Sequence, residues 1–254
     1  MYKGRNRRSI AVGLSLFLVV LKSAYATPST HIWGPSTDVQ AFSVFHITAD
    51  YYLPAEQTAT GARIPPVTTT GLTAGILPFK KLNAEVGFDH KSGLGTADDH
   101  PCYLNGKLGV PENAFSSFFP AVAVGIYDVG TKSDVTNNDV AYGKIAKTFI
   151  VGRFSLGYFT GNKKLLLDNK GEKDNSSLMA VWERTMNEIS PKLWLCAEYM
   201  GTKSGYGTMN FGGAWKFADN VGLLAGYDIY NNTDIPATFT VQVDIDFSLT
   251  THKE

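Results

Sequence analysis

Residues 238–247 read Thr-Phe-Thr-Val-Gln-Val-Asp-Ile-Asp-Phe. Phe239, Val241, Val243, Ile245 and Phe247 alternate with Thr240, Gln242, Asp244 and Asp246. A period of two puts every apolar side chain on one face of a β-strand and every polar one on the other. A helix would need apolar residues three and four apart instead. The same two faces return in 82–89, where Leu82, Ala84, Val86 and Phe88 interleave with Asn83, Glu85, Gly87 and Asp89, and in 193–199, where Leu193, Leu195, Ala197 and Tyr199 interleave with Trp194, Cys196 and Glu198. Similar runs occupy 39–52, 70–78, 103–110, 120–127, 140–149, 153–160, 177–185, 207–217 and 221–230, which makes about twelve strands.

Alternation alone would also suit a soluble sandwich or a lipocalin-like barrel. Two observations favour a closed antiparallel transmembrane β-barrel. Tight turns near 79–81, 150–152, 187–191 and 218–220 alternate with long polar segments at 53–69, 90–102, 128–139, 161–176 and 231–236, as in barrels with short turns on one side and long loops on the other. The connection 111–118 is longer than a tight turn and is expected to hold a short helix. Aromatic residues also stand at strand ends: Tyr51, Phe88, Tyr158, Tyr199 and Tyr227 towards the long loops, and Phe79, Phe149, Trp215, Phe217 and Phe247 towards the short turns. Two girdles at the lipid–water boundaries follow from that placement.

Residues 1–26 have the form of a cleaved signal peptide: Lys3, Arg5, Arg7 and Arg8, an apolar run from Ile10 to Leu21, then Ala24-Tyr25-Ala26 as a cleavage motif. The apolar run is too short for a spanning helix, which needs about 20 residues. Residues 27–254 then form one barrel domain, exported to the cell outer membrane after cleavage near Ala26. The removed segment holds five basic residues and no acidic ones, so 18 basic residues remain against 23 acidic, a net charge of about −5. That balance argues against nucleic acid as a partner. Two cysteines, Cys102 and Cys196, are too few for a disulfide framework and are expected to be free thiols.

The stretch from Gly205-Tyr206-Gly207 through Asn210, Gly226-Tyr227 and Tyr230-Asn231-Asn232 to Gln242, Asp244 and Phe247 resembles the closing part of uncharacterised Gram-negative outer-membrane β-barrel proteins. The resemblance implies fold and location, with outer-membrane lipid and the barrel-insertion machinery as partners, and small twelve-stranded solute channels as the nearest functional analogues. Barrels of this kind usually end on an aromatic residue, whereas here Phe247 is followed by Ser248 to Glu254.

With the apolar face on lipid, the opposite face lines the lumen. Its charged candidates are Asp50, Glu85, Lys107, Lys144, Arg153, Glu183, Glu198, Asp228, Asp244 and Asp246. Asp50, Asp228, Asp244 and Asp246 are expected on one wall and Lys107, Lys144 and Arg153 across from it, setting up a transverse field instead of neutralising pairs. His46 is expected as a hydrogen-bonded lumen residue beside Thr48 and Asp50. No catalytic set, metal site or cofactor is assigned; His90 and His100 fall in a polar loop with Asp89, Asp98 and Asp99, and the glycines have no phosphate-loop or dinucleotide context. The function expected is a small-solute channel; the alternative is a plugged structural or ligand-binding surface barrel, and an outer-membrane hydrolase ranks third. Migration on a gel from an outer-membrane fraction should shift on heating, and recovery as a soluble periplasmic protein would contradict this reading.

Overall fold

A computed structural model describes residues 20–22, 29–57 and 61–250. Among them twelve strands follow one another: β1 (Val44–Pro54), β2 (Val67–Gly75), β3 (Asn83–Ser92), β4 (Cys102–Val110), β5 (Ala121–Gly130), β6 (Asn137–Phe149), β7 (Gly152–Thr160), β8 (Ser176–Thr185), β9 (Leu193–Met200), β10 (Thr208–Ala218), β11 (Val221–Tyr230) and β12 (Thr238–Thr250). Each pairs antiparallel with its neighbour in sequence, and β12 pairs with β1 from Thr238 opposite Pro54 to Ser248 opposite Val44. That seam closes an all-β, antiparallel transmembrane barrel. Closure matters because an unpaired strand edge has no hydrogen-bond partner in lipid. A three-residue strand, Val20–Lys22, lies against Ser248–Thr250. The remainder of the expected signal segment, including its motif at residues 24–26, lies outside the described residues.

The two faces separate as the alternation requires. Val86, Phe88, Leu104, Val124, Leu156, Phe211 and Val243 are exposed on the outside, while Glu85, Lys107, Lys144, Glu183, Glu198 and Gln242 are buried inside. An apolar belt of this extent is unfavourable against water and suits acyl chains. Tyr51, Tyr158 and Tyr199 are exposed towards the long-loop end, and Phe79, Phe149, Trp215 and Phe217 towards the short-turn end. The long-loop end carries 55–66, 93–101, 131–136, 161–175, 201–207 and 231–237; the loop 201–207 was not singled out by its sequence.

Two expectations are corrected. The connection 111–120 forms turns, not a short helix. Glu112 accepts the Thr148 N–H at 3.0 Å and its hydroxyl at 2.7 Å, and Lys147 donates to Asn113 Oδ1 at 2.9 Å and the Ser117 carbonyl at 2.8 Å. These bonds hold the segment against the end of β6, while its own N–H groups close two tight turns, Ala114 to the Pro111 carbonyl and Phe119 to the Ser116 carbonyl. The first strand begins at Val44, not near residue 39. Ser43 has φ 64°, its N–H donates to the Gly75 carbonyl at 3.0 Å, and the Val44 N–H returns to the Ala41 carbonyl at 3.0 Å. A Cβ at Gly75 would lie 2.0 Å from the Ala41 carbonyl oxygen, so only glycine admits this crossing. Upstream of the kink the chain leaves the wall.

Arginine at Val243, on the lipid face, should lower folding stability by roughly 2–4 kcal/mol, and arginine at Ile150, on a turn tip, by about 0–1 kcal/mol. Denaturant titration in lipid vesicles measures both, and equal losses would mean that β12 has no lipid face.

Candidate functional site

Residues 29–41 enter the lumen as a narrow hairpin. Thr30 bridges Pro35, the Ser36 N–H donates to the Ser29 carbonyl at 3.0 Å, and the His31 N–H donates to the Gly34 carbonyl at 2.8 Å to close the tip. The tip, Ile32-Trp33, reaches towards the long loops: the Trp33 ring meets Tyr52 and Tyr230 edge-on at 5.3 and 5.6 Å, and its indole N–H donates to the Tyr206 carbonyl at 3.2 Å. Ile32 fits where two cross-strand glycines, Gly212 and Gly226, thin the wall; a Cβ at either would stand 3.0 or 3.1 Å from its side chain.

So short a hairpin cannot satisfy its own backbone, and wall side chains do it instead. Glu198 accepts the Trp33 and Gly34 N–H groups, each at 2.9 Å. Gln242 donates to the Ile32 carbonyl at 2.6 Å, Lys144 to the Pro35 carbonyl at 2.7 Å, and Lys107 to the Ser29 and Asp38 carbonyls at 2.7 Å each. Glu85 accepts the Gln40 N–H at 2.6 Å and pairs with Lys107 at 2.9 Å. Arg153 grips Asp38 with one guanidinium nitrogen at 2.7 Å and the other at 2.9 Å. Between Lys144 and Glu183 stands His31, 3.3 Å from each. An ammonium can only donate, so the Lys144 contact assigns acceptance to His31 Nδ1 and leaves Nε2–H to donate to Glu183.

Six of the ten lumen candidates, Glu85, Lys107, Lys144, Arg153, Glu183 and Glu198, thus meet on the hairpin. Asp244 and Asp246 meet elsewhere, on His46: Nδ1 lies 2.6 Å from Asp246 and Nε2 3.2 Å from Asp244, across the β1–β12 seam. Asp50 accepts the Thr48 hydroxyl at 2.6 Å, and Asp228 accepts the Thr238 hydroxyl at 2.9 Å. The expected transverse field between an acidic and a basic wall is therefore corrected. The basic groups bind the hairpin and neighbouring carboxylates, and two of the acidic ones share an imidazole, because an unpaired charge in a closed interior is costly. Gln242, on the same inner face, bonds the hairpin at the Ile32 carbonyl. Cys102 is exposed, Cys196 is buried, and both are free thiols.

Towards the long loops and along one flank of the hairpin lies a chamber of about 450 Å³, lined by Trp33, Tyr52, Tyr103, Tyr127, Tyr206 and Tyr230 with Asp50, Asp89, Asp128 and Lys91, and reaching His46, Glu85 and Lys107 beside the hairpin. A second cavity of about 620 Å³, lined by Arg153, Glu183, Trp194, Trp215 and Asp244 among others, lies on the short-turn side. Lys91 donates to Asp128 at 2.5 Å and stands 5.2 Å from the centre of the Tyr103 ring; the Tyr206 hydroxyl donates to the other Asp128 oxygen at 2.6 Å. Burial, then the Asp128 carboxylate, hold the Tyr206 hydroxyl well above the ordinary tyrosine range, which keeps it a donor.

Strict alternation would send Tyr127 and Asp128 to opposite faces. The β5 ladder shifts register here, and Asp128 adopts φ 55°, so both residues line the chamber. The inward pair was invisible to a period-two count, although Asp is among the residues that tolerate that backbone. Lys91 was missed because the third run was ended at residue 89, whereas β3 continues to Ser92.

No family model matches this sequence, and no curated protein does. Among solved structures the chain is similar to a KdgM porin, with a TM-score of 0.52 and 11% identity over 81% of this chain and 99% of that one. An outer-membrane channel from Pseudomonas putida F1 has a TM-score of 0.48 and 11% identity, over 83% of this chain and 96% of that one. Outer membrane phospholipase A from Escherichia coli has a TM-score of 0.43 and 12% identity, over 82% and 92%. At such identities the likeness is one of fold.

Cysteine placed at the buried Ser36, in a Cys102→Ser background, reports on the hairpin. Glu198→Ala strands two buried N–H groups, each worth about 1–3 kcal/mol, so labelling by an impermeant maleimide should speed up at least about tenfold. An unchanged rate would mean that Glu198 does not hold the hairpin.

Proposed function

We propose that this chain is an outer-membrane barrel, exported on a signal peptide cleaved near Ala26, whose lumen is closed by its own residues 29–41 and whose long-loop end carries a ligand-binding chamber. The carrying observation is the saturation of the hairpin by the wall. Lys107, Lys144, Arg153, Glu85, Glu198 and Gln242 all bond to it. A side chain that lines an open pore faces water and ions, whereas five of these bond hairpin backbone and Arg153 bonds the Asp38 carboxylate and the Thr37 hydroxyl.

The chamber supports the binding half of the reading. Its volume falls within the roughly 300–1,000 Å³ usual for small-molecule sites, and rings with a few charged groups are the usual lining. Lipid covers the outer belt, the insertion machinery delivers the barrel, and small solutes are the ligands. The reading is non-enzymatic: His46, the imidazole on β1, is clamped by Asp244 and Asp246 and serves the seam. A small-solute channel is the second reading, favoured by the shared fold with a porin. It would require the hairpin to leave the lumen.

Planar-bilayer recordings separate the two. The intact barrel should be silent, and deletion of residues 30–40, in a protein that still migrates as a heat-modifiable barrel, should produce discrete openings. Steady openings of the intact protein would overturn closure.

A further inference from the structure

The chamber's rings and charges are unequally matched. Asp128 already has Lys91, but Asp50 and Asp89 form no ion pair among the described residues. Asp50 has the Thr48 hydroxyl, and Asp89 accepts only a side-chain amide proton, from Asn105 at 3.0 Å. The two carboxylates converge from different strands. A Cβ at Gly71 would lie 2.2 Å from Asp89 Oδ1 and 3.1 Å from the Thr48 methyl, so the missing side chain lets Asp89 lean across β2 towards Thr48, the donor to Asp50.

Two residues beyond Asp50, on the same inward face, Tyr52 meets Trp33 at an interplanar angle of 83°, and Tyr230 meets Trp33 at 90°. With Trp33 near perpendicular to each tyrosine, the three rings border one corner of the chamber, where a π-face turned to the cavity attracts a cation. Behind Tyr230, at the equivalent inward position on β11, Asp228 is fully buried and one of its carboxylate oxygens has no hydrogen-bond partner. The Tyr127 hydroxyl, also in the chamber lining, is buried without a partner as well. The protein's own ammonium group shows the chemistry at work a few residues away, where Lys91 is held by a carboxylate and a ring face together.

We propose that the chamber binds a small organic cation, with its ammonium or quaternary ammonium head in the corner formed by Trp33, Tyr52 and Tyr230 and its charge countered by Asp50 and Asp89. This rests on the reading of the barrel as a closed binding barrel. Anions are disfavoured by the same two carboxylates, and a neutral ligand would leave them with only the longer-range field of Lys91, which is already bonded to Asp128.

Choline and its neutral carbon isostere, 3,3-dimethyl-1-butanol, differ in charge and little in shape. Calorimetric titration of the full-length barrel in lipid nanodiscs should give choline binding, with the isostere weaker by about tenfold or more. Asp50→Asn with Asp89→Asn should weaken choline by a similar factor while leaving heat-modifiable migration intact, and choline binding should weaken as salt rises. Equal binding of the two ligands, or no choline binding, would overturn the proposal. If the double variant misfolds, the ligand pair and the salt series on the natural protein still decide. A silent barrel that ignores choline sinks only the cation proposal; a barrel that conducts with its hairpin in place sinks closure.

Discussion

A charge sealed inside a lipid-bounded ring is costly unless it finds a partner within that ring. The strands supply the ring by simple alternation, which sends Lys107, Lys144, Arg153, Glu85, Glu183 and Glu198 inward as surely as it sends Val86 and Phe211 outward. Left facing one another across an empty lumen, those groups would need water to stay charged. The hairpin at residues 29–41 is shaped to that need, offering carbonyls to the cations and N–H groups to the carboxylates. Removing one partner of such a buried set costs several kcal/mol, because the other is stranded. Wall and hairpin therefore specify each other.

The wall was legible in the sequence and the hairpin was not, for one physical reason. In residues 238–247 a side chain's surroundings depend only on its parity, which a single chain displays. Residues 29–38 obey no period, because their surroundings are set by twelve strands whose charged positions are far away in sequence. Residues 39–42 even continue the alternation of β1, and the departure at Ser43 hangs on a left-handed backbone and on Gly75 more than thirty positions later. Inward charges were identified one at a time, but whom they face depends on a segment with no signal of its own. The same limit hid the inward turn of Asp128, where one inserted residue resets the parity.

The chamber inherits its chemistry from the hairpin as much as from the wall. Trp33 belongs to the plug, Tyr52 to the strand that follows it, and Tyr230 to a strand at the opposite end of the chain. On the proposed reading, closure and recognition would be aspects of one arrangement, because the hairpin inside the lumen also supplies one ring of the corner. Displacing the hairpin would dismantle the corner while it opened the path.

The hairpin is continuous with β1, and β1 is one half of the seam with β12. The seam needs the last strand, so the ring shuts only once β12 has been made. A hairpin laid into a curved, still open sheet before its two ends meet would reach Glu198, Lys144 and Gln242 without threading. A hairpin left outside at that moment would face a completed wall, and threading it through either mouth would mean stripping water from its charged contacts one by one. The sequence order of the parts, with the hairpin first and the closing strand last, thus makes early placement the shorter route to the same contacts.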